Sequence, residues 1–160
     1  MYQNPQRYFE VLKQIYGAAL GTPLIPLLFA FGRKDLIFFP NFEMNIFLEI
    51  CITILLLIPL FWVGIKYYQG FKKYRKIDDF LLKIKSFAKN VTLLWIVISV
   101  VSILSGLLFW QFQKGSFGVL SLITLLCFSL LPPNLRHLNR ILSLSQQELA
   151  HFRSEAQWNF

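Results

Sequence analysis

The chain has 160 residues, 56% of them hydrophobic and only 15% charged, with a formal net charge of +8. Soluble chains average about 25% charged residues, and a domain of this length could not hide so much apolar surface from water. The composition excludes an ordinary soluble fold and predicts one all-α polytopic membrane domain over residues 1–160.

The N-terminal stretch MYQNPQRYFEVLKQIYG lacks the pattern of a secretory leader. Glu10, Lys13 and Gln14 interrupt the place where an apolar run would follow a basic start, so this segment is expected to be retained. Four apolar segments follow, each measured against the roughly 20 residues a helix needs to cross about 30 Å of hydrocarbon.

The first runs from about Val11 to Phe31. Gly17 and Gly21 form a Gly-x-x-x-Gly pair, extended by Ala18 and Thr22, that lets another helix approach closely. Pro23 and Pro26 are expected to bend or break this segment. The second runs from about Ile46 to Tyr67 and carries Glu49 and Pro59. Trp62, Tyr67 and Tyr68 suit one membrane interface. The third, about Val91 to Phe112, has no charge, and Ser99, Ser102 and Gly106 recur on it at helical spacing. The fourth, about Phe117 to Leu131, is short and stops at Pro132-Pro133.

Between the second and third segments lies a basic linker, residues 70–90. Asp78 or Asp79 is placed to cap a helix, and Phe80, Leu81, Ile84, Phe87 and Ala88 then follow helical periodicity. The third helix is therefore predicted to begin near Asp79, and the second to run past Lys66 towards Tyr74. In the tail, residues 132–160, Leu135, Leu138, Ile141 and Leu142 share one face of an amphipathic helix, to lie on the membrane or pack on the bundle. Ser145 and Glu148 read as a capping box for a further short helix.

The cations are distributed unevenly. Of the 16 Lys and Arg residues, only Arg33, Lys34 and Lys114 fall on one side of a four-span arrangement. Lys and Arg are retained on the cytoplasmic side of short loops. Both termini and the linker are thus expected to be cytoplasmic, in a bacterial inner membrane, with two helical hairpins joined by the linker. Lys72, Lys73, Arg75, Lys76, Lys83 and Lys85 are expected to meet anionic lipid headgroups or an acidic partner. Tyr67, Tyr68, Phe71 and Tyr74 interleave with the cations, but no recognised nucleic-acid fold motif accompanies them, so no nucleic acid is expected.

Candidate chemistry is sparse. Glu49 is a carboxylate in an apolar run and so a functional candidate. It lies only about one turn inside the second helix, where it could reach water or pair with Arg33 or Lys34. With Thr53, Ser99 and Ser102 it forms a candidate pore or polar path, while Gly17, Gly21 and Gly106 are candidate helix-packing positions. Ser99 and Ser102 have no His or Asp neighbour to activate a nucleophile. His137 and His151 stand fourteen apart with no further ligands, and Cys51 and Cys127 read as buried small apolar side chains, so neither metal nor cofactor is expected. Asn90-Val91-Thr92 matches a glycosylation acceptor but would lie at the cytoplasmic membrane edge.

The opening VLKQIYGAALG and the proline-marked stop PPNLRHLNRILSLSQQE resemble a group of small, uncharacterised four-helix membrane proteins of Bacteroidetes. The resemblance implies a four-helix fold and no activity. It departs in the third span, where a polar or acidic residue of that group meets only Ser102 or Gly106 here.

These readings lead to a non-catalytic membrane subunit that packs with copies of itself or with a larger assembly. The alternatives are a small homo-oligomeric channel or transporter, and a membrane enzyme acting on a lipid-like substrate through Glu10, Arg136, His137 and Arg140.

Overall fold

The computed structural model describes residues 5–32, 43–77 and 80–133, and beyond these Asn139, Leu142, Ser143, Gln146 and Ala150. Within that range the regular elements are helices: α1 (Pro5–Gly21), α2 (Leu24–Gly32), α3 (Ile46–Tyr74), α4 (Phe80–Phe112) and α5 (Gly115–Ser129). Three stretches are long and apolar enough to cross a membrane: Glu10–Gly32, Ile46–Gly70 and Leu82–Phe112. This is the build of an integral membrane protein. At 15 residues α5 is apolar but shorter, spanning about 22 Å at a helical rise of about 1.5 Å.

The first stretch breaks where its prolines require. Thr22 closes α1 by giving both its N–H (3.1 Å) and its hydroxyl (2.7 Å) to the Ala18 carbonyl. Pro23 has no N–H to continue the ladder. Pro26 likewise cannot bond Thr22, and the Thr22 carbonyl takes the Ile25 N–H instead at 3.3 Å. In α3, by contrast, Pro59 is carried inside the helix. Asn45 starts α3, its side-chain carbonyl accepting the Leu48 N–H at 2.8 Å, the bond an N-cap residue makes.

The central helix is α4, which packs against α1, α2, α3 and α5, whereas α3 packs chiefly on α4. One core cluster joins Leu12 of α1, Val63, Tyr67 and Tyr74 of α3, Ile84, Phe87, Val91 and Trp95 of α4, Phe128 of α5, and Leu142 of the tail. So the middle of α1, the second half of α3, the first half of α4 and the end of α5 meet. Tyr16 ties α1 in: its ring stands edge-on to Trp95 and Phe128, and its hydroxyl donates to the Phe128 carbonyl at 2.7 Å. Lipid tails are as apolar as these side chains, so close packing and hydrogen bonds hold the helices together, not escape from water.

The α3–α4 connection depends on a folded-back ring. A side chain at Gly70 would lie 2.6 Å from the Tyr74 hydroxyl, so only glycine leaves room for this ring. Tyr74 packs edge-on to Phe87 at 6.3 Å, and the Asn90 amide donates to its hydroxyl. Asp78 and Asp79, the expected cap, lie outside the described residues.

At the other end of α4, Phe29 meets Trp110 and Phe31 meets Phe109, each pair at 5.8 Å. Only Gln113 and Lys114 separate α4 from α5. Gln113 turns the chain with φ 54°, its N–H on Phe109 and its side-chain amide on Trp110. Gly118 allows the tight return, since a Cβ there would sit 3.1 Å from the Phe109 ring.

Candidate functional site

The polar side chains within the apolar helices fall into separate groups. The largest is a hydroxyl seam on α4. Ser99 donates to the Ala19 carbonyl of α1 at 2.7 Å. Ser102 faces Ser121 of α5, with hydroxyls 3.3 Å apart, and Ser121 reaches the Ser102 carbonyl at 3.2 Å. Ser105 bonds back to the Ser102 carbonyl at 3.1 Å, and Thr124 to the Ser121 carbonyl at 2.7 Å. All five are buried. Gly106 continues the seam, and a Cβ there would lie 3.3 Å from Pro26 of α2 and 3.6 Å from the Ser121 hydroxyl. Ser99, Ser102 and Ser121 thus bond between helices, while Ser105 and Thr124 bond within their own. Each hydroxyl is bonded to backbone or to another hydroxyl, and no acid or base stands in the seam.

Glu49 lies in the first turn of α3, where the helix dipole favours an anion. Its carboxylate accepts the hydroxyl of Ser116 in the first turn of α5. Arg33 and Lys34, its expected partners, lie outside the described residues. Thr53 bonds its own helix, donating to the Glu49 carbonyl at 2.8 Å. Thus the four residues of the candidate polar path divide into two pairs. Among the described residues no hydrogen bond links Glu49 and Thr53 with Ser99 and Ser102. Between α3 and α4 lies an apolar groove of about 480 Å³, with Ile52 and Leu56 on one wall and Leu104 and Leu108 on the other.

The cations of the linker do not behave alike. Lys73, Arg75, Lys76 and Lys85 are exposed, whereas Lys83 is 7% exposed and has an interaction of its own, which corrects the expectation that it is displayed. Lys83 stands one turn before Phe87, so its stem enters the packed face. The side chain of Lys72 lies outside the described residues. Lys66 sits 3.8 Å over the Trp62 ring, as a cation reaching up along an interfacial aromatic would.

The glycines also divide. Gly106 meets Pro26, but around Gly17, Gly21 and Gly64 there is nothing within 4 Å of an added Cβ. Both cysteines are free thiols. Cys127 is half-buried, but Cys51 is exposed on the apolar face of α3, contrary to its expected burial. Among the described residues no group of three His, Cys, Asp or Glu could hold a metal ion. His137, His151, Arg136 and Arg140 lie outside them.

Ser105, Ser121, Thr124, Ser116 and Tyr16 were not singled out from the sequence. For three of them a signal existed. Ser105 extends the Ser99–Ser102 spacing by one turn, and Ser121 and Thr124 repeat it on α5. Tyr74 lies beyond the membrane-crossing stretches. Its burial raises the phenol above its usual range, and the Asn90 bond opposes that rise.

No protein-family model, curated protein or solved structure matches the chain.

Proposed function

We propose that the chain is a non-catalytic subunit of a membrane assembly, packing through α1 and α3 against other copies of itself or other membrane subunits. The observation that carries this reading is the contrast among the glycines. Glycine inside a helix costs about 1 kcal/mol relative to alanine. At Gly70, Gly106 and Gly118 that cost is offset by a close side-chain contact within the chain. At Gly17, Gly21 and Gly64 no such contact exists, and all three lie on membrane-crossing stretches. Small residues there let a second helix approach closely. The internal bonding of Ser99, Ser102, Ser105 and Ser121 supports a packing role for the seam over a pore lining.

In this proposal the chain crosses four times, as two hairpins, with α5 as a short last span, in the plan of the Bacteroidetes group it resembles. Both termini and the α3–α4 connection face the cytoplasm of a bacterial inner membrane. The meeting of Leu12, Tyr74, Phe87, Phe128 and Leu142 in one cluster supports that arrangement, because it brings the cation-rich segments together. Lys73, Arg75, Lys76 and Lys85 there meet anionic headgroups, each contributing about 1 kcal/mol near such a surface. The test is the mass of the purified assembly in mild detergent. A mass above one chain that falls in the Gly17→Leu/Gly21→Leu/Gly64→Leu variant is the expected result, and a stable monomer that keeps its cellular role contradicts it.

A further inference from the structure

The break between α1 and α2 falls at the centre of the first membrane-crossing stretch. Gly21 stands eleven residues from either end of Glu10–Gly32, with Thr22 and Pro23 next to it. At that depth no water satisfies a backbone group, and each orphan costs several kcal/mol. An ordinary residue at position 23 would give its N–H to the Ala19 carbonyl, but Pro23 cannot. Pro23 is also among the most completely buried residues of the chain. The Ala19 carbonyl nonetheless has a donor. Ser99, eighty residues away on α4, gives it a hydroxyl at 2.7 Å. Two helical turns further along α4, Gly106 receives the ring of Pro26. The carbonyl that Pro23 cannot bond and the ring of Pro26 are therefore both met by α4.

We infer that Ser99 stands in for the missing N–H of Pro23, and that the α1–α2 joint is a conformational device closed by this one hydroxyl. With the bond made, the angle between α1 and α2 is set by α4. Without it, the Ala19 carbonyl must find another donor and the joint loosens. The inference rests on this geometry alone and does not depend on the proposed assembly.

Thr and Val at position 99 have nearly the same shape and differ in the hydroxyl, so they isolate the bond. In full-length protein in detergent, Ser99→Val is expected to melt below Ser99→Thr by roughly 2–8 °C. In the Pro23→Ala background, where residue 23 regains its N–H, that gap is expected to shrink to under about 1 °C, because the carbonyl no longer needs the serine. An equal gap in both backgrounds, or no gap with Pro23 present, overturns the inference. Pro23→Leu serves as the second background if Pro23→Ala does not accumulate. A further readout needs no change at Pro23. Spin labels at Gln14 and Leu28, with Cys51 and Cys127 replaced by Ala, are expected to give a broader distance distribution in Ser99→Val and the native one in Ser99→Thr. Identical distributions in the two also overturn it.

Discussion

Helices α3 and α4 are both long and similarly apolar in their membrane-crossing stretches, yet they occupy opposite places in the molecule. Half of the most apolar 18 residues of α4 are buried, against 11% of those of α3. The difference lies in small and hydroxyl side chains. One face of α4 carries Ser99 and Ser102, which give donors to the backbones of α1 and α5, Gly106, which lets α2 come close, and Ser105, which bonds back to α4 itself. Along α3 stand Ile50, Ile54, Leu55, Ile58, Phe61 and Ile65, all exposed. Apolarity decides that a helix enters the bilayer. It does not decide what the helix faces there, because a leucine packs about as well on lipid as on leucine.

Matched substitutions can break this contrast. The largest effect is expected for tryptophan. Trp95 of α4 is 1% exposed and Trp62 of α3 is 51% exposed. Trp95→Ala should cost about 3–5 kcal/mol in reversible detergent unfolding, and Trp62→Ala under about 1 kcal/mol, chiefly the Lys66 contact. Trp95→Phe should recover much of the loss, since the Trp95 indole N–H has no acceptor among the described residues. Comparable losses for Trp95→Ala and Trp62→Ala would remove the distinction between the helices.

Next come the glycines. Gly106→Leu should drive α2 off α4 and cost about 1–3 kcal/mol. Gly64→Leu, with open space around it, should not destabilise a single chain and should gain up to about 1 kcal/mol from helix propensity. A smaller effect joins the first turns of α3 and α5. Glu49→Gln and Ser116→Ala should each cost about 0.5–1.5 kcal/mol, and the double variant little more than either, as one shared bond requires. Additive losses would show that the two residues act separately.

The smallest is a pH effect at the α3–α4 connection. The Tyr74 phenol is raised in the folded chain from its ordinary value of 10.0. Its folded form therefore holds the proton more firmly than its unfolded form. That contribution is fully present below about pH 10 and is lost as pH climbs through the folded value. Tyr74→Phe should fall less steeply in melting temperature above pH 10 than the native chain, and parallel curves would contradict the assignment.

Much of this was legible in the sequence. Pro23 announced the break, and the serine spacing on the third span marked its packing face. Helical periodicity around Phe80, Ile84 and Phe87 started α4 at Phe80, and the run past Lys66 took α3 to Tyr74. Other features depend on contacts that no local pattern encodes. Ser116 meets Glu49 across 67 residues, and Ser99 meets Ala19 across 80. Charge alone groups Lys83 with its exposed neighbours, whereas its register one turn before Phe87 places it on the packed face. The apolar residues that flank Cys51 in the sequence predict its burial. On α3 Ile50, Ile54 and Leu55 face outward, and Cys51 is exposed with them.

The central claim is that α4 organises the chain from within, while α1 and α3 present its outward packing face. Light scattering of the full chain, purified from its own membrane in mild detergent, tests this most directly. A protein mass above the 18.8 kDa of one chain, collapsing towards that value in Gly17→Leu/Gly21→Leu/Gly64→Leu while the helical content is kept, is the predicted result. A native mass of one chain, or an assembly that the triple variant leaves intact, would contradict it.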